Sequence, residues 1–112
     1  MTDETQQTET IRQLNDQFRQ SLQGGRVVIT AGIETLGPER LAFLINKVRT
    51  FNSFSPDNDP HGEHDFGAFD DEGDRFFWKI DYYDRRCEFG SENPADPKLT
   101  VRVLTLMLAD EY

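Results

Sequence analysis

Six residues that could bind a metal or transfer protons lie close together in the middle of the sequence: Asp57, Asp59, His61, Glu63, His64 and Asp65. Because imidazole suits Zn and Fe, one hypothesis is a transition-metal site. Its ligands would be His61, His64, Asp59 and Asp65. The spacing is not diagnostic, since Pro60 and Gly62 disfavour a helix that would present both histidines. Such a site would support a small metal-dependent hydrolase.

The same run begins like a calcium-binding loop. Asp57, Asp59 and Gly62 match the first half of an EF-hand loop in their spacing. The match then fails, because position five is His61 and position twelve, which needs a bidentate Glu, is Ala68. No flanking pair of helices is predicted either. We therefore do not expect a calcium loop.

His64 could also act as a general acid or base, because histidine titrates near neutral pH and a carboxylate could orient its ring. The neighbouring carboxylates are Asp59, Glu63 and Asp65. No nucleophile motif accompanies them, neither a Gly-x-Ser-x-Gly elbow nor a recognisable Cys/His/Asn set. The sequence therefore indicates no particular reaction.

The net charge of −9 lies almost entirely in one stretch. The 112 residues include 21 Asp and Glu against 12 Lys and Arg. Residues 1–56 hold six acidic and six basic side chains, whereas residues 57–112 hold fifteen and six. Residues 57–74, called the acidic segment below, carry eight carboxylates and no Lys or Arg. These are Asp57, Asp59, Glu63, Asp65, Asp70, Asp71, Glu72 and Asp74.

The acidic segment predicts a surface for a basic partner. On a strand, alternate carboxylates of residues 57–65 would recur about every 6–7 Å, as charges do on a nucleic-acid backbone. They could then fill a basic nucleic-acid-binding groove, with Phe54 or Phe69 as an anchor. The alternative is that these residues form turns with a solvated face. Acidity argues against direct nucleic-acid binding and membrane docking, which need clustered Lys and Arg.

Two amphipathic helices are predicted before the acidic segment. In residues 8–23, apolar side chains recur at spacings of three and four, and a Gly-Gly pair ends the helix. Pro38 begins a second helix whose apolar stripe runs to Phe51. Between them, the β-branched run in residues 26–33 predicts a strand.

A hairpin is predicted after a loop at residues 52–62. Residues 63–69 and 75–84 are expected to form antiparallel strands joined by a turn at residues 70–74. The alternation in the second strand predicts one core face. That face consists of Phe76, Trp78, Ile80 and Tyr82.

Two features of the second half of the chain allow alternatives. The aromatic strand could be a base-stacking platform, but Asp81 and Asp84 would oppose phosphates, so a core strand is favoured. Residues 99–112 favour a strand by their β-branched content. A helix beginning at Pro97 is the alternative there.

These elements predict an α+β fold, with two amphipathic helices packed on an antiparallel sheet of about four strands. A single domain is expected over residues 8–112, after a disordered polar tail at residues 1–7. No run is apolar enough for a membrane span, and no secretory signal is recognised. Cys87 is the only cysteine and is interpreted as an incidental strand residue. We expect a cytoplasmic protein without a cofactor.

Three blocks of the sequence resemble one family: Pro-Asp-Asn-Asp-Pro-His-Gly-Glu-His-Asp-Phe-Gly at residues 56–67, Phe-Trp-Lys-Ile-Asp-Tyr-Tyr-Asp at 77–84, and residues 102–112. The family consists of small bacterial proteins, mostly alphaproteobacterial and often encoded on plasmids or other mobile elements, catalogued as a domain of unknown function. The resemblance implies no catalytic residue, cofactor or substrate. It implies a genomic setting in which small acidic accessory proteins sometimes counter restriction or CRISPR systems.

The expected function is therefore that of a small acidic binding protein rather than an enzyme. It would be a mobile-element accessory factor that inhibits a basic nucleic-acid-binding protein, of the anti-restriction or anti-CRISPR type. The eight carboxylates of the acidic segment would contact that partner. The alternatives are the metal-dependent hydrolase and a structural subunit of a larger plasmid-encoded complex. The sequence leaves the partner's identity and the oligomeric state open.

Overall fold

The computed structural model describes residues 4–112. Its elements are, in chain order, α1 Glu4–Ser21, β1 Gly25–Ile29, α2 Ala31–Glu34, α3 Pro38–Arg49, β2 Phe66–Asp71, β3 Asp74–Tyr83, β4 Val101–Leu108 and a short 3-10 helix Ala109–Glu111. The strands form one four-stranded sheet in the order β1-β4-β3-β2, and the helices pack with it. The predicted α+β class is confirmed.

The sheet is mixed rather than purely antiparallel. Strand β3 pairs antiparallel with β2 and with β4, as predicted, but β1 pairs parallel with β4. β4 lies between β1 and β3, so the last strand of the chain is inserted beside the first. This pairing joins segments more than seventy residues apart, and it brings Gly25 opposite Arg102. A local pattern does not encode such a contact.

Helix α1 begins earlier than predicted. Residues 4–7 belong to the predicted polar tail, but in the structure the helix already starts at Glu4. Glu and Gln are good helix formers, and an acidic first turn interacts favourably with the helix dipole. Residues 1–3 of the predicted tail lie outside the described residues. The helix ends at Ser21, two residues before the predicted end. Leu22, directly after it, has a positive φ of 61°, and Gly24 follows at φ +92°.

The strand predicted at residues 26–33 is shorter. Strand β1 ends at Ile29, and Ala31–Glu34 form the short helix α2, which buries Ile33 completely. This short helix packs closely on the end of β4, since a Cβ on Gly32 would lie 2.7 Å from Cδ1 of Leu108. Helix α3 begins at Pro38 as predicted and buries Leu44 and Val48.

The predicted hairpin of β2 and β3 is present, but its turn is tighter than residues 70–74, because the strands extend to Asp71 and resume at Asp74. Strand β2 also begins at Phe66 rather than at residue 63. Asp71 faces Asp74, and Glu72 and Gly73 both have positive φ, as the tightest hairpin turns require. The predicted core face of β3 is confirmed, since Phe76 and Trp78 are fully buried. Gly67 on β2 makes room for Trp78: a Cβ there would lie 2.3 Å from the indole Nε1.

Residues 99–112 form a strand over Val101–Leu108, which excludes the helical alternative. Leu104 and Leu106 are fully buried and lie opposite Ile80 and Trp78 in the register. They form the core with Phe18, Ile33, Leu44, Val48 and Phe76 from the other elements. No helix within residues 4–112 has the length and apolarity to cross a membrane.

Candidate functional site

The acidic segment falls into two structurally different parts. Residues 57–65 form turns and bends before β2, and residues 70–74 form the tip of the β2–β3 hairpin. The predicted linear series of carboxylates is therefore wrong, because residues 57–65 do not form a strand. Within this first part, only Asp57 is fully exposed among the carboxylates.

Asp59 stabilises the loop from inside. Its side chain is buried, and its Oδ1 accepts a hydrogen bond from the His64 backbone N–H at 3.2 Å. Its own N–H donates to the Ser55 carbonyl, and its carbonyl accepts from Gly62. These bonds occupy both the side chain and the backbone of Asp59. They also restrain His64, which has a positive φ of 56°.

His64 connects this loop to α1. Its Nδ1 lies 2.9 Å from Oδ1 of Asp16, and its Nε2 lies 3.7 Å from Oδ2 of Asp59. The imidazole also stacks on Phe54, with ring centroids 3.7 Å apart and an angle of 4° between the rings. Both ring nitrogens therefore face carboxylates, and one face of the ring is covered. The sequence did not indicate Asp16 as a partner.

The predicted metal ligands are not assembled into a site. In residues 4–112, no group of three or more His, Cys, Asp or Glu side chains is arranged to hold a metal ion. His61 is exposed, while His64 is bound between Asp16 and Asp59. The combination of His61, His64, Asp59 and Asp65 therefore does not form a ligand set in the described structure.

A buried polar network that the sequence did not predict lies beneath α1. Asn15 is fully buried, and its Oδ1 accepts from Nε of Arg102 at 2.7 Å. Its Nδ2 donates to the Tyr82 hydroxyl at 2.8 Å and to the Glu63 carbonyl at 3.0 Å. The Tyr82 hydroxyl donates in turn to Oε1 of Glu63 at 2.7 Å. Every polar group of Asn15 is thereby used.

The network changes the acidity of its members. Burial raises the pKa of Tyr82, and the hydrogen bond to Glu63 adds to this increase. Burial also lowers the pKa of Arg102. The pKa of Asp65, next to this network, is raised by burial and by the negative charge of Glu63. Each shift follows from removing a charge from water, which disfavours the ionised form.

Arg19 occupies a similar buried position on α1. Its Nη1 donates to three carbonyls at the end of α3, those of Val48, Arg49 and Phe51, at 2.9–3.2 Å. Its Nη2 donates to Asp16 at 3.1 Å. A helix leaves its last carbonyls unpaired, so Arg19 caps α3 from a neighbouring element.

The sequence contains one signal that Asn15 and Arg19 are buried. Asn15 and Arg19 follow Ile11 at intervals of four, so they lie on the helix face that is buried. A polar residue inside an apolar stripe indicates a buried hydrogen-bond network.

The hairpin carboxylates are partly neutralised. Nη2 of Arg40, on α3, lies 3.2 Å from Asp74 and 3.7 Å from Asp71, and its Nε lies 3.5 Å from Glu72. Arg75 lies 2.9 Å from Asp70. The net charge of residues 57–74 does not include Arg40, because α3 precedes this segment in the chain. The local sequence therefore does not show that Arg40 offsets part of the negative charge.

The hairpin keeps a negative balance after this pairing. Its four carboxylates face two guanidiniums, which leaves a formal charge of −2. The hydrogen bond from Arg75 holds the pKa of Asp70 below its ordinary value, so that carboxylate stays ionised. Glu72 is the most exposed of the four, at 73% of its side-chain surface.

A cleft separates this hairpin from α3. Its volume is about 330 Å³, and it is lined by Glu39, Arg40, Phe43, Asp71 and Glu72. Phe43 is 52% exposed, and the Lys47 ammonium lies 5.6 Å from its ring centroid. We call this feature the hairpin cleft. It combines an exposed aromatic ring with a rim of carboxylates.

The predicted anchors, Phe54 and Phe69, are both packed against the core. Phe54 stacks on His64, and Phe69 lies against Phe76 with centroids 5.5 Å apart. The exposed aromatic beside the acidic hairpin is instead Phe43, which comes from the outer side of α3. Helical periodicity places Phe43 outside the apolar stripe of α3. This position in the sequence already indicates that the ring is exposed.

The rings of the aromatic strand are also engaged. Phe76 and Trp78 are buried, and Phe77 contacts Phe66 and Tyr112 with centroids 5.2 and 5.7 Å apart. Lys79, two residues after Phe77 on the same face of β3, forms an ion pair with Asp81 at 2.9 Å. The core assignment of the strand is confirmed for its inner face.

Comparison with known proteins gives a family but no described activity. Searches of curated proteins and of solved structures found no match. A family model described as "Protein of unknown function (DUF3768)" matches residues 29–111, which include the acidic segment and strands β2 to β4. Helix α1, which supplies Asn15 and Arg19, precedes the matched range. The chain belongs to this family of proteins of unknown function.

Proposed function

We propose that this chain is a small acidic binding protein that acts through its surface rather than through a reaction centre. Its partner is a basic protein, and the contact is made by the β2–β3 hairpin and the hairpin cleft. The observation that carries this proposal is the exposed Phe43 beside a hairpin tip that keeps a charge of −2.

Exposed charge and an exposed ring serve different purposes in such a contact. The carboxylates attract a basic surface over several ångströms and increase the rate of encounter. An aromatic ring that becomes buried supplies most of the affinity, since aromatic residues dominate binding hot spots. Glu72 and Phe43 line the same cleft, so one partner segment can contact both.

Arg40 prepares the hairpin for this contact. By interacting with Asp71, Glu72 and Asp74 it fixes three carboxylates in one region without neutralising all of them. Two other carboxylates of the predicted set are engaged elsewhere. Asp59 and Glu63 are bound inside the loop and the buried network, which favours a structural role for both.

The finer role that we propose is inhibition of a nucleic-acid-binding protein encoded by the host, of the restriction or CRISPR type, by a factor carried on a mobile element. The charge of −9 supports this assignment, because a basic nucleic-acid groove selects polyanionic surfaces. A cytoplasmic location is part of the same proposal.

The test uses the tagged chain to capture a partner from host lysate and then measures binding of the purified partner. The hairpin variant carries Asp70→Asn, Asp71→Asn, Glu72→Gln and Asp74→Asn. A matched control neutralises four exposed carboxylates outside the hairpin, with Glu9→Gln, Glu88→Gln, Glu92→Gln and Asp110→Asn. Circular dichroism of each variant confirms folding.

We expect the hairpin variant to bind at least about tenfold more weakly at low salt, and the control to change by less than about threefold. Phe43→Ala should also weaken binding about tenfold, because a buried aromatic contact is lost. Raising salt from about 50 to 200 mM should reduce the difference between wild type and the hairpin variant. Full affinity in the hairpin variant, or a captured partner that binds no nucleic acid, contradicts the proposal.

A further inference from the structure

A second cleft, far from the hairpin, has the opposite charge. It lies between the end of α1, the turn after it and the start of β4, and its volume is about 190 Å³. Its lining includes Arg85, Arg102, Leu14 and Phe18. We call it the arginine cleft. In a chain of net charge −9, a small cavity lined by two arginines and no carboxylate needs an explanation.

Arg102 is held rigidly at this cleft. It is 4% exposed, its Nε donates to Asn15, and its Nη2 donates to the Pro94 carbonyl. Its guanidinium also lies 5.2 Å from the ring centroid of Tyr82. A guanidinium has five N–H donors, and these contacts use two of them. The other donors have no hydrogen-bond partner within residues 4–112.

The charge of Arg102 has no direct counter-ion. Across residues 4–112, neither Arg102 nor Arg85 forms an ion pair with a carboxylate. Glu63 acts on Arg102 through space only, since its Oε1 accepts from Tyr82. A buried cation without a directly paired counter-ion is costly, and burial accordingly lowers the pKa of Arg102. A bound anion would remove this cost.

Arg85 lines the same cleft and supplies the second charge. It is exposed, and its Nη1 donates to the Thr100 carbonyl at 3.4 Å. Leu14 and Phe18 contribute apolar surface to the same cleft. The cavity therefore offers a charged end and an apolar wall, a combination that suits an organic acid better than a bare inorganic anion.

From this geometry we infer that the arginine cleft binds a small organic carboxylate between Arg85 and Arg102. A planar guanidinium matches a carboxylate with two parallel hydrogen bonds. The cavity volume of about 190 Å³ limits the ligand to a small acid. The ligand is thus a short-chain carboxylate whose hydrocarbon part contacts Leu14 and Phe18. This inference does not depend on the proposed function.

The test uses butyrate, which fits this size, with inorganic phosphate as the comparison anion. Binding is followed by NMR chemical-shift titration of the full chain. We expect butyrate to bind with a dissociation constant on the order of 1 mM and to shift signals of α1 and the segment preceding β4. At about ten times that concentration, the melting temperature should rise by about 5 °C.

Two substitutions separate binding from folding. Arg85→Gln removes an exposed charge from the cleft and should weaken butyrate binding about tenfold without unfolding the chain. Arg86→Gln removes the neighbouring exposed charge, which does not line the cleft, and should leave affinity within about twofold. Arg102→Lys keeps the charge but loses the planar fork, and should also weaken binding.

Failure of butyrate to bind overturns the inference, as does equal binding to wild type and Arg85→Gln. Phosphate binding more tightly than butyrate, with the same dependence on Arg85, overturns the assignment to carboxylates. Because none of these measurements involves the hairpin, their outcome is independent of the partner-binding experiment.

Discussion

Charged side chains are concentrated in two regions at opposite ends of β3. Near Tyr82, Asn15 and Arg102 form a buried network beneath α1, and Arg19 on the same helix is buried against the end of α3. Near Asp74, the hairpin carboxylates face Arg40 and Arg75 in contact with water. Both regions use ion pairs and hydrogen bonds, but their surroundings differ.

The difference between these regions lies in what replaces water. A buried polar group that loses its partner has no solvent to bond with, so each partner is essential for stability. An exposed ion pair exchanges one solvated state for another and contributes little to folding. We therefore assign stability to the buried network and partner binding to the hairpin. Four substitutions test this division.

The largest effect is expected for Arg19→Met. The substitution keeps much of the side-chain volume but removes the donors to three carbonyls at the end of α3. The Arg49 and Phe51 carbonyls lose the partner they have in the structure, while Val48 keeps the Phe51 N–H and Asp16 keeps His64. The free energy of unfolding should therefore fall by about 3 kcal/mol. Urea denaturation measures the change.

Arg26→Met is the matched control, since Arg26 is exposed on β1. It should change stability by less than about 0.5 kcal/mol. A similar loss in both variants would show that Arg19 contributes through its hydrocarbon part or net charge rather than through the capping bonds.

Asn15→Leu should lower the free energy of unfolding by about 2 kcal/mol, less than Arg19→Met. Leucine is similar in size to asparagine, but the substitution leaves Arg102 and Tyr82 without a shared partner. Gln13→Leu makes the same chemical change at an exposed position of α1 and should be nearly neutral. Thermal denaturation of both variants provides the comparison. If Asn15→Leu is as stable as wild type, the network does not determine stability.

The two regions should also respond to pH in opposite directions. Burial and Glu63 raise the pKa of Asp65 above its ordinary value of 3.8, so its ionisation opposes folding at neutral pH. Asp65→Asn should therefore raise the melting temperature at pH 7. The gain should disappear as the pH falls below the folded and unfolded pKa values, where Asp65 is protonated in both states.

The smallest effect is expected for Asp70→Asn on the hairpin. Arg75 lowers the pKa of Asp70, so its ionised form favours folding above the ordinary value of 3.8, and this contribution is lost as the pH falls through the lowered pKa. Because Asp70 is exposed, the melting temperature should decrease only slightly at pH 7, and added salt should remove the decrease. Shifts of the same sign for Asp65→Asn and Asp70→Asn would contradict the division of roles.

Much of the fold could be predicted because its signals are local. Pro38 and the apolar stripe after it define α3, and the alternation of Phe76, Trp78 and Ile80 defines the inner face of β3. The turn at Glu72 and Gly73 follows from the positive φ that a tight hairpin needs. Each of these depends on residues a few positions apart.

The candidate site could be predicted only in part. The sequence shows how charge is distributed along the chain, but not which charges lie close together in space. The acidic hairpin was identified correctly as a turn between two strands. Its neutralisation by Arg40, thirty-four residues before Asp74, was not visible in the local sequence. Similarly, the sequence predicts that Asp59 and His64 bind a metal or transfer protons. In the structure, the His64 ring contacts Asp16, and Asp59 accepts a hydrogen bond within its own loop.

The sequence by itself determined the helical and extended segments, the core face of β3 and the location of the negative charge, since these follow from periodicity and composition. The tertiary structure alone decided which charges are buried, paired or free. Ion pairs and buried hydrogen bonds form between segments brought together by packing, as when Arg102 meets Asn15 across 87 positions. Their energies depend on the local exclusion of water, and that exclusion exists only after α1 packs on the sheet.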